Sequence, residues 1–255
     1  MRQMTKVKLV FIMCFVGFLS IKAQEEIKIH SHNDYHQRIP FWDAFTSGAK
    51  SIEADIILKD GELFVAHEEK SIALGQTLEP MYLLPLQRAK QLYGEEQLEF
   101  QLMLDVKTDA YKTLDAIVML LDQYLRYLKP YNQTGVSIVI SGNRPKEVDY
   151  DNYPEHIQFD CQNILTMPQD KWDKVAMISI NFKKLSNWNG EGEPKNLEKV
   201  KEFIDSAKKF GKPIRFWGTP DTEGSWKTLI DLGIDFIGTD DPLAANSFIK
   251  TKNSP

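Results

Sequence analysis

Histidine side chains gather near the ends of short apolar segments in the first third of the sequence. Three of the five histidines fall within residues 30–36, and His67 directly follows another apolar run. Histidine titrates near neutral pH, which suits it to proton transfer in an active site. His30 and His32 would share one face of an extended strand, because alternate strand residues point the same way. The sequence therefore offers His67 and either member of this pair as functional residues.

Two carboxylates share one face of the next predicted strand. Glu53 and Asp55 alternate with the apolar residues of Ser51–Leu58, so the apolar side chains face the other way. Like charges held together are unfavourable unless a cation or a shared proton relieves the repulsion. A hard divalent cation with oxygen ligands is the simplest relief. Asp105 in a later apolar run offers a third oxygen ligand, and Lys107 beside it can balance the carboxylates or hold a phosphate oxygen.

The elements that must position these residues alternate along the chain. Short apolar runs predict strands at Ile27–Ser31, Ser51–Leu58, Glu62–Ala66, Leu98–Val106, Val136–Ser141, Ile157–Phe159, Ala176–Asn181, Pro213–Trp217 and Phe236–Thr239. Apolar residues at helical spacing predict helices at Phe41–Ala49, Tyr111–Leu128, Asn196–Phe210 and Ser225–Leu232. This alternation favours parallel βαβ units.

The expected fold is a single-domain TIM-type (β/α)8 barrel over residues 24–255. The glycine-rich dinucleotide fingerprint is absent after the first strand, which argues against a nucleotide-binding open sheet. Reactive groups of such barrels lie at the carboxyl ends of the strands, where the histidines and carboxylates are found. Residues 68–97 are interpreted as an excursion broken by Pro80 and Pro85, which would contribute to the substrate pocket.

The ordered set of motifs resembles the glycerophosphodiester phosphodiesterase and phosphatidylinositol-specific phospholipase C-like superfamily. The chain is closest to a branch that opens with His-Ser-His-Asn-Asp-Tyr, since it has His-Asn-Asp where the phosphodiesterases proper have His-Arg-Gly. The motifs span residues 27–242 and comprise His32, Glu53-Ala54-Asp55, Lys59-Asp60-Gly61, His67, Asp105-Val106-Lys107 and the closing segment Gly233–Pro242.

The resemblance implies a mechanism and a set of residues. One divalent metal, Ca²⁺ or Mg²⁺, would lie between Glu53, Asp55 and Asp105, and His32 and His67 would act as general base and general acid. His30 remains an alternative catalytic histidine. Candidate contacts to the phosphodiester substrate, either a small molecule or a lipid, are Asn33, Asp34, Lys107, Arg144, Arg215 and Trp217.

The N-terminal segment predicts export. Residues 1–23 have a basic start, an uncharged run at Leu9–Ser20 and a small residue at Ala23, the layout of a signal peptide. Its removal takes away four cations and no anions, so the net charge falls from −5 to −9. An acidic mature chain argues against nucleic-acid binding. We expect a periplasmic or extracellular protein that makes transient contact with membranes if its substrate is a lipid.

Only Cys161 remains after cleavage, so no intrachain disulfide is expected, and a packed thiol is the simplest interpretation. Two other functions stay open. A His-x-His after the first strand also opens metal-dependent amidohydrolases, although their later histidines are missing here. A catalytically inactive barrel that binds lipid or carbohydrate would use aromatic residues such as Trp42, Trp188 and Trp226, although core packing explains these residues equally well.

Overall fold

The structure is a computed structural model that describes residues 27–94, 98–131 and 134–252. The predicted signal peptide at residues 1–23 lies outside these ranges. Nine strands occur in the part of the chain that is described, one at each predicted position. They are β1 (Lys28–Ser31), β2 (Ser51–Lys59), β3 (Glu62–Val65), β4 (Gln101–Val106), β5 (Ser137–Gly142), β6 (Ile157–Cys161), β7 (Val175–Asn181), β8 (Ile214–Trp217) and β9 (Phe236–Thr239).

Eight parallel strands close into a ring among these residues. Neighbours follow one another in the order β1-β9-β8-β7-β6-β5-β4-β2, and β1 also pairs with β2. The predicted TIM-type single-domain barrel is therefore confirmed. The extra strand β3 pairs antiparallel with the protruding end of β2 through a tight turn at Asp60-Gly61, where both residues have positive φ. This hairpin returns the chain to the barrel rim at His67.

Six α-helices occur in the described residues. They are α1 (Trp42–Thr46), α2 (Leu84–Tyr93), α3 (Ala110–Leu121), α4 (Leu197–Lys208), α5 (Glu223–Asp231) and α6 (Pro242–Lys252). The helix α3 shows why the sequence forms it: Asp109 caps its first turn by accepting from the Lys112 amide, and Leu114, Ile117 and Leu121 are fully buried. It ends earlier than predicted because Leu128 is extended and pairs with Val136.

The segment 68–97 differs from the prediction. A π-helical turn at Glu79–Leu83 leads directly into α2, so Pro80 and Pro85 begin helical segments and do not break them. Proline is tolerated in the first turn of a helix, where its missing amide has no partner to lose. The described part of this segment also does not line the pocket at the carboxyl ends of the strands. The helix α6 was not predicted either.

The barrel interior is divided into an apolar layer and a polar layer. The apolar layer lies inside the ring of strands, below the polar layer at their carboxyl ends. It consists of Met103, Val139, Met177 and Phe236, which pack together. The strand residues one step further along β4 and β5 are Asp105 and Ser141, and Asp55 on β2 lies beside Asp105 in register. The strand faces that point outward carry aliphatic residues that pack against the helices. Within the described ranges, no helix is long and apolar enough to cross a membrane.

Candidate active site

A pocket of about 400 Å³ opens at the carboxyl ends of the barrel strands. Four of the residues singled out from the sequence for catalysis or metal binding line it, namely His32, His67, Glu53 and Asp105. Four of those singled out for substrate binding line it as well, namely Asn33, Lys107, Arg215 and Trp217. Ser141, Asn143 and Gln162 add neutral polar groups to the opposite wall.

Three carboxylates form a compact cluster at the base of this pocket. One oxygen each from Glu53, Asp55 and Asp105 lies within 4.8 Å of the others, and this is the one such group of three among the described residues. Asp105 Oδ1 is buried and accepts no hydrogen bond from the described part of the chain. A buried acceptor left without a donor is unfavourable. The cluster therefore fits a hard divalent cation with oxygen ligands.

Lys107 supplies a positive charge to this cluster. Its Nζ lies 3.2 Å from Asp55 Oδ1 and 3.2 Å from Asp105 Oδ2. Burial is the main cause that raises the pKa of Asp105 to about 6; Lys107 opposes this rise, and the neighbouring carboxylates Glu53 and Asp55 add to it. The pKa of Lys107 is itself raised, because attraction to Asp105 and Asp55 outweighs its partial burial. Without a further cation, ionisation of Asp105 is thus less favourable than that of an aspartate in water.

Glu53 is fixed by two partners inside the barrel. Its Oε2 accepts from Arg215 Nη2 at 3.1 Å and from His30 Nε2 at 2.6 Å. Burial alone would raise the pKa of Glu53, but Arg215 and His30 outweigh it and hold the pKa far below its usual value. Glu53 is therefore ionised at neutral pH, with its second oxygen available to a ligand.

His30 belongs to a buried hydrogen-bonded chain. Gln101 Nε2 donates to Ser51 Oγ, whose hydroxyl faces His30 Nδ1 at 2.6 Å, and His30 Nε2 faces Glu53. A carboxylate can only accept, so the Nε2 carries the proton. Burial and Arg215 lower the pKa of His30 to about 4, so the ring is neutral. His30 lies outside the pocket lining, and its contacts are those of a residue that orients Glu53.

His32 points into the pocket and is anchored by a distant part of the chain. Its Nδ1 lies 2.7 Å from Asp240 Oδ1, so the ring donates there and leaves Nε2 free. The Asp240 amide donates to Asp221, and Gln37 donates to the Asp240 carbonyl. The neighbouring Asp241 caps α6, since it accepts from the amide of Ala244 at the start of that helix, and Asp240 is thus left to contact His32.

His67 has an equivalent anchor on the other side of the pocket. Its Nδ1 lies 2.7 Å from Asp55 Oδ2, which also accepts from the Tyr35 hydroxyl at 2.8 Å. Since the carboxylate can only accept, His67 also donates through Nδ1 and keeps Nε2 free. The same Tyr35 hydroxyl lies 3.1 Å from Asn33 Oδ1, so its single proton has two neighbouring acceptors, and Tyr35 links the loop after β1 to the carboxylate cluster.

The remaining sequence candidates divide between the pocket and the interior. Asn33 and Trp217 line the pocket, and Trp217 is 37% exposed. Asp34 does not: it is fully buried and accepts from Ser31, Tyr82 and the Phe41 amide, which fixes the loop after β1.

Arg144 is likewise held away from the pocket. It pairs with fully buried Asp160, which also accepts from Ser141, so its contacts are structural. Cys161 is a buried free thiol, and burial raises its pKa to about 11. Arg144 and Cys161 are therefore part of the barrel wall and not of the pocket.

Gly142 is a site residue that the sequence did not reveal. It ends β5 with φ +68°, and a Cβ at this position would lie 2.0 Å from Asp105 Oδ1. The missing side chain therefore provides the space in which the Asp105 carboxylate lies. In the sequence, the only indication of this role was a glycine at the end of a predicted strand, because such a glycine often marks a place where another group approaches the backbone closely.

We expect Gly142→Ala to weaken divalent metal binding by at least about tenfold, because the new methyl group must displace Asp105. Isothermal titration with Mg²⁺ and Ca²⁺ measures this change. Gly48→Ala is the matched control: Gly48 also has positive φ, but its Cβ would meet nothing within 4 Å. The control loses stability through backbone strain alone. Equal metal affinity in the two variants would contradict the steric argument.

Comparisons with known proteins agree with this arrangement. A family model described as the AIM6-like phosphodiesterase domain matches residues 21–96. The altered inheritance of mitochondria protein 6 homolog of Arthroderma benhamiae is 26% identical over 263 residues, covering 87% of this chain and 83% of that protein. The corresponding protein of Kluyveromyces lactis is 24% identical over 297 residues, covering 84% and 70%.

Solved structures show the same fold. A glycerophosphodiester phosphodiesterase from Parabacteroides distasonis superposes with a TM-score of 0.61 at 16% identity, covering 91% of this chain and all of that one. A phosphodiesterase from Oleispira antarctica, in complex with the product sn-glycerol-3-phosphate, gives a TM-score of 0.55 at 16% identity, covering 88% and 96%. The resemblance predicted from the sequence is confirmed at the level of the barrel fold, which this chain shares with glycerophosphodiester phosphodiesterases of known structure.

Proposed function

We propose that this chain is a metal-dependent phosphodiester hydrolase. One observation carries the proposal: His32 and His67 line the same pocket as Glu53 and Asp105 of the three-carboxylate cluster, and each is anchored through Nδ1 so that Nε2 is free. Two proton-transfer groups beside a cation site are the components that hydrolysis of a phosphodiester requires. The fold shared with glycerophosphodiester phosphodiesterases supports the same reaction class.

One divalent cation, Ca²⁺ or Mg²⁺, would be held by Glu53, Asp55 and Asp105. When bound, such a cation would polarise the phosphoryl oxygen of the substrate and offset the negative charge that develops in the transition state. The protein holds this cluster in place through Arg215 and His30 on Glu53, and through Tyr35 and His67 on Asp55. Such contacts orient metal-binding carboxylates before a metal arrives.

The two histidines divide the proton transfers. One accepts a proton at Nε2 from the attacking water or hydroxyl, and the other donates a proton to the leaving oxygen. Asp240 and Asp55 accept from the opposite ring nitrogens and stabilise each ring when it is protonated. Trp217 and Asn33 border the space left for the organic part of the substrate, and Lys107 borders the space for its phosphate.

The substrate is a small or lipid phosphodiester, and the glycerol-containing class is the first to test, because the similar Oleispira antarctica enzyme carries sn-glycerol-3-phosphate as product. The decisive experiment is a panel of bis-nitrophenyl phosphate, glycerophosphodiesters, inositol lipids and sphingomyelin. Each substrate is assayed after chelation and again after Mg²⁺ or Ca²⁺ is restored. Hydrolysis that depends on the added metal supports the proposal, and hydrolysis that chelation leaves unchanged contradicts it.

A metal-dependent amidohydrolase is the alternative enzyme class. The contacts of the described histidines do not support it. His30 and His32 contact different carboxylates and do not share a ligand position. A lipid- or carbohydrate-binding barrel without activity is not favoured by the aromatics named for it, since Trp42, Trp188 and Trp226 pack against other aromatic rings and do not line the pocket.

Export belongs to the proposal and rests on residues 1–23 of the sequence alone. We expect the mature chain to begin near Gln24 and to fractionate with periplasmic or secreted protein. N-terminal sequencing of the protein purified from each fraction tests this. Recovery of the uncleaved chain in the cytoplasmic fraction would contradict it.

We expect Asp240→Asn to lower kcat by about ten- to a hundredfold with little change in KM, because the neutral amide no longer favours the His32 proton on Nδ1. The effect is moderate since the pair is partly exposed and screened. Steady-state kinetics on the best substrate measures it. Asp241→Asn is the matched control, because that carboxylate caps α6 and contacts no histidine among the described residues. Similar losses in both variants would contradict a specific role of Asp240.

A further inference from the structure

Lys107 contacts two of the three carboxylates that would hold a metal ion. Its ammonium group bridges Asp55 Oδ1 and Asp105 Oδ2, at 3.2 Å from each. The same two residues and Glu53 make up the cluster whose oxygens lie within 4.8 Å of one another. An ammonium group and a divalent cation cannot both bind these two oxygens at close range without repelling each other.

The two cations of the site differ in how firmly they are held. Arg215 is 5% exposed, lies inside the barrel and contacts Glu53 through a planar, rigid group. Lys107 follows the last residue of β4, is 23% exposed, and lines the pocket. Its ammonium ends a flexible four-carbon chain. Lys107 can therefore leave the carboxylates towards the pocket, whereas Arg215 cannot leave Glu53 without exposing a buried charge.

Charge within the cluster also favours an exchange. Three carboxylates with Lys107 and Arg215 carry one net negative charge, so a divalent cation that enters beside Lys107 makes the group net positive. If Lys107 moves away as the cation enters, the three ligands and Arg215 balance the cation. The ammonium thus relieves carboxylate repulsion while no metal is bound and opposes metal entry.

We propose that Lys107 and a divalent cation exclude each other from Asp55 and Asp105, so that Lys107 is a tethered cation that sets the metal affinity of the site. The proposal rests on the proposed function only in placing the metal at this cluster. It predicts that the site fills at a higher metal concentration than three carboxylates alone would require. It also predicts that metal entry turns Lys107 towards the pocket.

Metal titration of charge-neutral variants tests this without any substrate. We expect Lys107→Met and Lys107→Gln to bind Mg²⁺ and Ca²⁺ about tenfold or more tightly than the parent chain, by isothermal titration calorimetry. Without metal, both variants should melt at a lower temperature than the parent, and saturating metal should remove this difference. Lys59→Met is the matched control: it removes one positive charge from an exposed pair with Glu69 and should leave the affinity unchanged.

A second measurement uses the parent chain and needs no neutral variant to fold. In protein labelled with ¹³C at the lysine ε-carbons, the Lys107 signal is assigned by its loss in Lys107→Arg, which keeps the charge. Saturating Mg²⁺ or Ca²⁺ should shift this signal markedly. The proposed exclusion is wrong if the neutral variants bind metal no more tightly than the parent. It is also wrong if saturating metal leaves the Lys107 signal unshifted. Either result is obtained whether or not the chain hydrolyses phosphodiesters.

Discussion

His32→Ala and His67→Ala are each expected to lower kcat by about 10²–10⁴-fold on an alkyl phosphodiester while leaving the fold intact. Each ring provides one proton transfer, and its free Nε2 lines the pocket. Neither ring is buried, so removal costs little packing. Steady-state kinetics and thermal unfolding of both variants measure the two effects separately.

The leaving group tells the two histidines apart. A nitrophenolate departs without protonation, so the variant that lacks the general acid should lose much less activity on bis-nitrophenyl phosphate than on an alkyl diester. The variant that lacks the general base should lose activity on both. His36→Asn is the control, because His36 is exposed and does not line the pocket. If the activity of either alanine variant stays within twofold of the parent on every substrate, the proposed proton transfers are wrong.

Glu53→Gln is expected to have the second large effect, a loss of metal binding together with a fall in kcat of about 10²–10³-fold. The amide keeps the shape of the side chain and removes the charge that a divalent cation requires. The same change leaves buried Arg215 without its counter-charge. Removal of one partner of a buried ion pair destabilises proteins by about 3–5 kcal/mol, so the variant should also unfold more readily.

A double variant separates the two consequences. Glu53→Gln combined with Arg215→Met removes both charges, so it should recover much of the lost stability. Metal binding and activity should stay lost, since the ligand is still missing. Calorimetric titration with Mg²⁺ and Ca²⁺ and chemical unfolding measure both. Glu62→Gln, an exposed residue of the adjacent hairpin, is the control. Parent-like metal affinity in Glu53→Gln would contradict the carboxylate site.

Local pattern was sufficient to predict the strands and the polar face of β2. Glu53 and Asp55 alternate with apolar residues, which predicts a strand with one polar and one apolar face. In the barrel, the polar face carries the carboxylate cluster and the apolar face packs in the hydrophobic core. Helices that begin at proline were missed. Both α2 and α6 have proline in the first turn, where it signals a helix start as readily as an end.

The choice between His30 and His32 depended on where β1 ends. Alternation placed both rings on one face, but the strand stops at Ser31 and Asn33 adopts positive φ, so His32 leaves the strand direction. His30 thus stays inside the barrel against Glu53, and His32 reaches the pocket. The turn that follows and the neighbouring strands determine where such a strand ends. The alternation of polar and apolar residues along one strand does not predict either of them.

The fold class and the available chemistry follow from strand alternation, strand–helix order and residue type, which are local properties of the sequence. Which groups act together depends on contacts that form only when the barrel closes. His32 and Asp240 are 208 residues apart, and they meet because β1 pairs with β9 when the barrel closes. Gly142 leaves room for Asp105 because β4 and β5 lie in register. Lys107 reaches two carboxylates because Asp55 and Asp105 are neighbours across adjacent strands.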